Sequence, residues 1–187
     1  MQNWHHKTPM KFQIETCAHV LQASCNPTIK GPHPILLVRS TGGGKSAIRD
    51  CVGFCLRGVV VTIVPLLSLA ADQTEKMKII IKNAGLQNND VVSVYNLDTI
   101  RSVDGTSKLQ AKLRNIQPNG RHTIFLYSSP QKISASPSWQ KLIQDLVGNN
   151  SISLVACDEC HLFASQGMEF RAEFSLKEGS FCSSAEK

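Results

Sequence analysis

Ile35-Leu36-Leu37-Val38-Arg39-Ser40-Thr41-Gly42-Gly43-Gly44-Lys45-Ser46 is the stretch whose reading decides the fold. Four consecutive apolar residues, Ile35 to Val38, predict a short buried strand. The glycines at 42–44 predict a turn, and Lys45 to about Leu56 suits a helix. A strand feeding a glycine turn that opens a helix makes a cradle for phosphate. Backbone N–H groups and the positive helix end face the anion. Glycine lets the backbone approach it closely, in dihedrals closed to other residues. Thr41, Gly42, Gly43, Gly44, Lys45 and Ser46 are therefore the expected nucleotide-binding set. Lys45 would reach the β and γ phosphates, and the Ser46 hydroxyl would ligate Mg²⁺. The full spacing of this motif asks for glycine at position 39, where this chain has Arg39.

Downstream, strand and helix alternate. Strands are predicted at 59–64, 91–94, 123–127 and 152–156, and helices at 67–84, 108–116 and 139–147. Upstream, Ile14 to Gln22 reads as a helix with Ile14, Cys17, Ala18 and Leu21 on its apolar stripe, followed by a proline-containing loop over 24–34. Short unbroken apolar strands between amphipathic helices predict an α/β fold, a mostly parallel sheet covered by helices on both faces. The strand at 152–156 runs into Asp158 and Glu159, 113 positions after Lys45. Asp158 would hold Mg²⁺ through water, and Glu159 would polarise an attacking water.

Composition narrows the class. The chain has 187 residues, of which 42% are apolar and 18% charged, enough for one soluble domain with its own core. The longest oily run, Val59 to Ala71, is broken by Thr62, Pro65 and Ser68 and is too short to cross a bilayer. No apolar signal stretch follows the first residues, so an intracellular protein without a membrane partner is expected, nuclear if the source is a eukaryote. Cysteines at 17, 25, 51, 55, 157, 160 and 182 are odd in number and scattered, which suits free thiols better than a disulfide framework or structural zinc. Residues 1–157 carry 17 Lys and Arg against 8 Asp and Glu, whereas residues 158–187 carry 3 against 6. A basic body suits a polyanion, and equally a solvated face.

With these residues in place, the chain resembles the superfamily 2 helicases, and within them the RecQ-like DNA helicases. Thr41 to Ser46 looks like their motif I, and Asp158-Glu159-Cys160-His161 looks like their DEAH box with cysteine for alanine. Pro65-Leu66-Leu67-Ser68-Leu69 with Asp72-Gln73 is similar to their motif Ia. Tyr127-Ser128-Ser129-Pro130-Gln131 resembles the next segment, and Gln13-Ile14-Glu15 resembles the glutamine segment that recognises adenine. The resemblance covers about residues 9–175. It implies a RecA-like P-loop NTPase lobe that binds ATP and Mg²⁺, with Lys45, Asp158, Glu159 and His161 as catalytic residues and Gln13 at the adenine. It also implies a DNA partner, single-stranded or partly duplex, met by Ser68, Ser129, Phe163, Phe170 and Arg171.

The departures are specific. The family precedes its glutamine with Phe-Arg-Pro, and this chain has Pro9-Met10-Lys11. After the acids, Ala164-Ser165-Gln166-Gly167-Met168-Glu169-Phe170-Arg171 puts Gln166 where the family has tryptophan and Met168 where it has histidine. Base stacking needs a π face, which leaves Phe163 or Phe170 for that task unless both belong to the core. The expected organisation is an N-terminal segment over 1–27 carrying the glutamine helix, a RecA-like lobe over 28–175 and a polar tail over 176–187. The second lobe that closes over ATP in the family is not in this chain, so the sheet is expected to be incomplete at its C-terminal side. Two functions follow: the ATP-binding lobe of a helicase that couples hydrolysis to strand separation in a longer form, or an ATP- and nucleic-acid-binding module without unwinding.

Overall fold

The computed structural model describes residues 8–26, 34–40, 42–86, 91–117 and 120–159. Ten elements follow one another: α1 (Lys11–Cys25), α2 (Lys45–Leu56), β1 (Gly58–Ile63), α3 (Leu67–Asn83), β2 (Val92–Asn96), α4 (Val103–Arg114), β3 (Thr123–Ser128), α5 (Pro130–Ser134), α6 (Pro137–Gly148) and β4 (Ile152–Cys157), with a short 3-10 turn at Leu97–Thr99. Among the described residues the strands form one sheet in the order β2-β3-β1-β4, with every pairing parallel. The predicted α/β class is the observed one.

The strands read as unbroken apolar runs because both faces of the sheet are covered. β1 and β3 are buried along their whole length. Parallel strands joined by helical crossovers produce this pattern. On one face Val59, Val61, Ile63, Ile124 and Leu126 pack on Leu109 and Leu113 of α4 and on Trp139, Leu142 and Leu146 of α6. On the other face Val60, Phe125 and Tyr127 pack on Ala70, Met77, Ile80 and Ile81 of α3, with Phe54 of α2 beside them. The Phe54 and Phe125 rings are tilted at 59° with centroids 5.0 Å apart. Gly53 is part of this packing, because a Cβ there would collide with Val60 and Phe125.

Two expectations are corrected. Residues 34–40 form no strand, and Leu36 and Val38 are 77% and 79% exposed. A four-residue apolar run becomes a strand only where a sheet edge pairs with it, and among the described residues no strand pairs with this one; the carbonyls just beyond it, at Arg39 and Ser40, accept from the Lys45 amine. Second, α1 keeps half of its predicted stripe and is rotated toward Phe12 and Thr16. Cys17 and Leu21 are part-buried as predicted, whereas Ile14 and Ala18 face solvent and Phe12, Gln13, Thr16 and Val20 face inward in their stead. Bonds from Gln13 to Gly44 and from Cys17 to Ile48 fix that rotation. The segment after β3, for which the sequence pattern offered no element, holds a short helix, α5, opened by Pro130 behind a Ser129 cap. Proline suits a first helical position because its missing N–H would lack a partner there anyway.

Candidate nucleotide and nucleic-acid site

In a parallel sheet all carboxyl ends point one way, and ligands bind outside that edge. β1 is followed there by Val64 and Pro65, β3 by Ser129, and β4 by Asp158 and Glu159. The Asp158 N–H donates to the Ile63 carbonyl at 2.9 Å, which carries the β1–β4 ladder up to the acids.

The phosphate turn lies at the N-terminus of α2. Gly42 and Gly44 have φ of 77° and 79°, in the left-handed region that glycine enters without strain. Gly44 has a second requirement, because a Cβ there would run into the Gln13 amide. That amide is used at both ends. Its oxygen accepts from the Met10 N–H at 2.8 Å, which caps α1, and its nitrogen donates to the Gly44 carbonyl at 3.0 Å. Gln13 thus ties α1 to the turn. The Lys45 amine donates to the carbonyls of Arg39 at 3.0 Å and Ser40 at 3.2 Å. Ser46 is exposed on the first turn of α2. The Arg39 guanidinium lies 4.4 Å over the Phe12 ring, beside Gln13. Neither Phe12 nor Arg39 was part of the predicted set, although a glycine position filled by arginine was the available signal.

A buried polar chain leads from α2 to Asp158. Arg49, one turn beyond Lys45, pairs with Asp50 at 2.5 Å, both side chains being less than a tenth exposed. It also donates to Gln73 Oε1 at 2.6 Å and to the Tyr127 hydroxyl at 3.1 Å. Gln73 Nε2 donates to Asp158 Oδ2 at 2.5 Å, and the Glu159 N–H donates to Asp158 Oδ1 at 3.0 Å. Burial works to strip the Arg49 proton, but Asp50, Tyr127 and Asp158 outweigh it and hold the guanidinium above its ordinary pKa. Burial pushes the Tyr127 phenol well up, against the opposing pull of Arg49. Glu159 has a φ of 49°, left-handed for a residue with a side chain. Sequence spacing could not reveal this chain of contacts, since its members lie on α2, α3, β3 and β4.

The two serines expected at a nucleic acid differ. Ser68 is exposed in the first turn of α3, next to Leu66 and Leu67, which are 48% and 60% exposed. The first N–H groups of a helix have no partner within it. Ser129 is buried, and its hydroxyl donates to Asp98 Oδ1 at 2.5 Å and accepts from the Lys132 N–H. Its own N–H donates to Asp98 Oδ2 at 2.7 Å. Ser129 therefore closes a loop on a carboxylate that would repel phosphate. Thr41, His161, Phe163, Phe170 and Arg171 lie outside the described residues. Among the described residues no group of three or more His, Cys, Asp or Glu could hold a metal ion, and no helix is long and apolar enough to cross a membrane.

Comparison with known proteins places this geometry. A family profile described as DEAD/DEAH box helicase matches residues 19–183. Among curated proteins, the chain is 27% identical over 164 residues to the ATP-dependent DNA helicase Q5 of Mus musculus, covering 87% of this chain and 15% of that protein. It is 28% identical over 140 residues to the ATP-dependent DNA helicase RecQ of Haemophilus influenzae, covering 75% and 19%. It is also 28% identical over 153 residues to the ATP-dependent helicase SGS1 of Saccharomyces cerevisiae, covering 80% and 10%. The chain thus spans less than a fifth of the length of each of these relatives.

Proposed function

Because this chain belongs to the DEAD/DEAH box helicases, we propose that it is the ATP-binding lobe of a RecQ-like DNA helicase. Mg-ATP would bind between the turn at 42–46 and the acids at 158 and 159. The observation that supports this reading best is the hydrogen-bonded chain from Arg49, one helical turn past the glycine turn, through Gln73 to Asp158 at the carboxyl end of the parallel sheet. The relatives named for ATP-dependent DNA helicase activity support nucleotide and DNA as the ligands. They also support an intracellular location, nuclear in a eukaryote.

The residues fit their tasks. The Lys45 amine rests on two neutral carbonyls, and a phosphate oxygen would replace them with a charged, stronger acceptor. The Ser46 hydroxyl and the Asp158 carboxylate are hard oxygen donors, the kind Mg²⁺ takes while keeping several waters and the substrate phosphates. When bound, the ion would neutralise charge on the phosphates. Glu159 would orient the water that attacks. Phe12 and Arg39 present a flat cationic stack beside Gln13 and would take over the adenine contact for which the family uses its upstream arginine. At the other ligand, Ser68 and the free N–H groups of α3 would grip a strand phosphate, single-stranded or partly duplex. The proposed boundaries remain 1–27, 28–175 and 176–187, with His161 in the catalytic set and Phe163, Phe170 and Arg171 on the strand.

A module that binds ATP and nucleic acid without unwinding is the second reading for the 187-residue chain alone. The observation favouring it is the self-closed site, with Lys45 and Gln13 both bonded to the turn itself. One experiment tests the set. Titration with a fluorescent ATP analogue and Mg²⁺ should show binding that Lys45→Ala weakens by about ten- to a hundredfold. A labelled oligothymidylate should bind with an affinity that falls steeply as salt rises. Equal nucleotide affinity in wild type and variant overturns the phosphate-turn assignment. Strand displacement by the chain alone would reject the second reading.

A further inference from the structure

Asp158 does not face the carboxyl end of the sheet as a freely rotating side chain. Oδ2 accepts from Gln73 and Oδ1 from the backbone of Glu159. The Glu159 bond is local and comes with the turn. The Gln73 bond crosses from another element and fixes the plane of the carboxylate.

The orientation of that glutamine has no freedom either. A guanidinium can only donate and a carboxylate can only accept. With Arg49 on one side and Asp158 on the other, the Gln73 amide must turn its oxygen to Arg49 and its nitrogen to Asp158. Gln73 is 7% exposed, so water cannot substitute at either end. Arg49 is itself held by Asp50 and Tyr127. The relay is rigid from the core outward, and its outer end is Asp158.

Gln73 also belongs to α3. Ala70, Met77, Ile80 and Ile81 hold that helix in the core along its length. Ser68 is exposed on its first turn, five residues before Gln73. A load taken up at Ser68 therefore reaches Gln73 through one and the same helix. Because hydrogen bonds weaken steeply with misalignment, a small motion of the α3 start changes how Asp158 is held.

We infer that Gln73 is the positioning residue for the Asp158 carboxylate, and that it carries the occupancy of the α3 start to the metal-facing group. This rests on the reading of Asp158 as a metal ligand and of Ser68 as a strand contact. A side chain that holds a metal ligand in place is worth about ten- to a hundredfold in metal affinity. In this chain the relay would do work that the family assigns to its aromatic loop, where Gln166 stands for tryptophan.

The test uses the 187-residue chain, a fluorescent ATP analogue, Mg²⁺ and an oligothymidylate. In wild type, saturating oligothymidylate should lower the Mg²⁺ midpoint for nucleotide binding by about fivefold or more, and Mg-nucleotide should tighten oligothymidylate binding by the same factor. Gln73→Met keeps the volume and removes the amide. It should raise the Mg²⁺ midpoint about tenfold, leave metal-free nucleotide binding unchanged and bring the coupling factor to one. Tyr127→Phe separates positioning from simple support of Arg49. It removes one bond to Arg49 and leaves the Gln73 amide on Asp158, so its Mg²⁺ midpoint and coupling should be those of wild type, with circular dichroism confirming that both variants fold. A midpoint shifted as far in Tyr127→Phe as in Gln73→Met would reduce Gln73 to support of Arg49 and overturn the proposal. Wild type that binds and couples, with Gln73→Met doing so equally, overturns the proposal alone. Wild type that binds without coupling overturns the link through α3. Wild type with no Mg²⁺-dependent nucleotide binding overturns the underlying reading and this inference with it.

Discussion

The two walls of the proposed nucleotide site are built differently. On the acid side, Asp158 is joined through Gln73, Arg49, Asp50 and Tyr127 to side chains that are almost wholly buried. On the phosphate-turn side, α1 has no fully buried residue, and residues 34–40 lie off the sheet with apolar side chains in solvent. One wall is part of the core and the other is draped over it. Groups that must hold a fixed charge gain from the first arrangement. Groups that must admit and release a ligand gain from the second, because local opening there costs little.

Three measurements can break or sharpen that contrast. The largest effect should come from Arg49→Ala, which removes the buried guanidinium that Asp50, Gln73 and Tyr127 share. Loss of one member of a buried pair costs about 3–5 kcal/mol, so the midpoint of urea unfolding should fall sharply. A drop no larger than that of a surface substitution would mean that the acid wall is not core at all. Next comes the seam between the walls. Burial, with the neighbouring Cys17 and Cys55 thiols, pushes Cys51 up to about 12. The thiolate is the reactive form, so at pH 8 Cys51 holds roughly a thousandfold less of it than an ordinary cysteine. Its labelling by iodoacetamide should lag far behind that of exposed Cys25 and climb about tenfold per pH unit. Fast labelling at neutral pH would show α1 leaving α2 readily. The smallest effect should follow Gln13→Ala, which removes a cap and a tether for about 1 kcal/mol. Amide exchange should speed up along α1 and stay unchanged in β1 and β3. Equal acceleration everywhere would mean that α1 unfolds only with the whole domain.

What could be read from the sequence follows the same division. The strands at 58–63, 123–128 and 152–157 announce themselves because burial on both faces leaves runs of Val, Ile and Leu. The glycine turn and the acids are local signals, each carried by a few adjacent residues. Ile35–Val38 misled for a physical reason: periodicity registers apolarity, whereas a strand needs a partner, and pairing is not written in the segment itself. The face of α1 is set by Gln13 and Cys17 meeting α2, a contact between residues more than thirty positions apart. Ser129 reads in sequence as a phosphate contact, and only the fold brings Asp98, also far away in sequence, to accept from its hydroxyl and its N–H. Gln73 is the sharpest case. In sequence it is one polar residue of an amphipathic helix, and its significance comes only from the two charged partners the fold brings to it.

Glu159 sits in a backbone conformation that suits glycine better than any residue with a side chain. Anyone seeking a more heat-resistant variant from backbone energetics alone would be drawn to replace it with glycine, and the replacement would relax the turn. It would also delete the carboxylate proposed to orient water. The position therefore trades durability against chemistry, and a stabilised variant selected without an activity screen should be inspected there first.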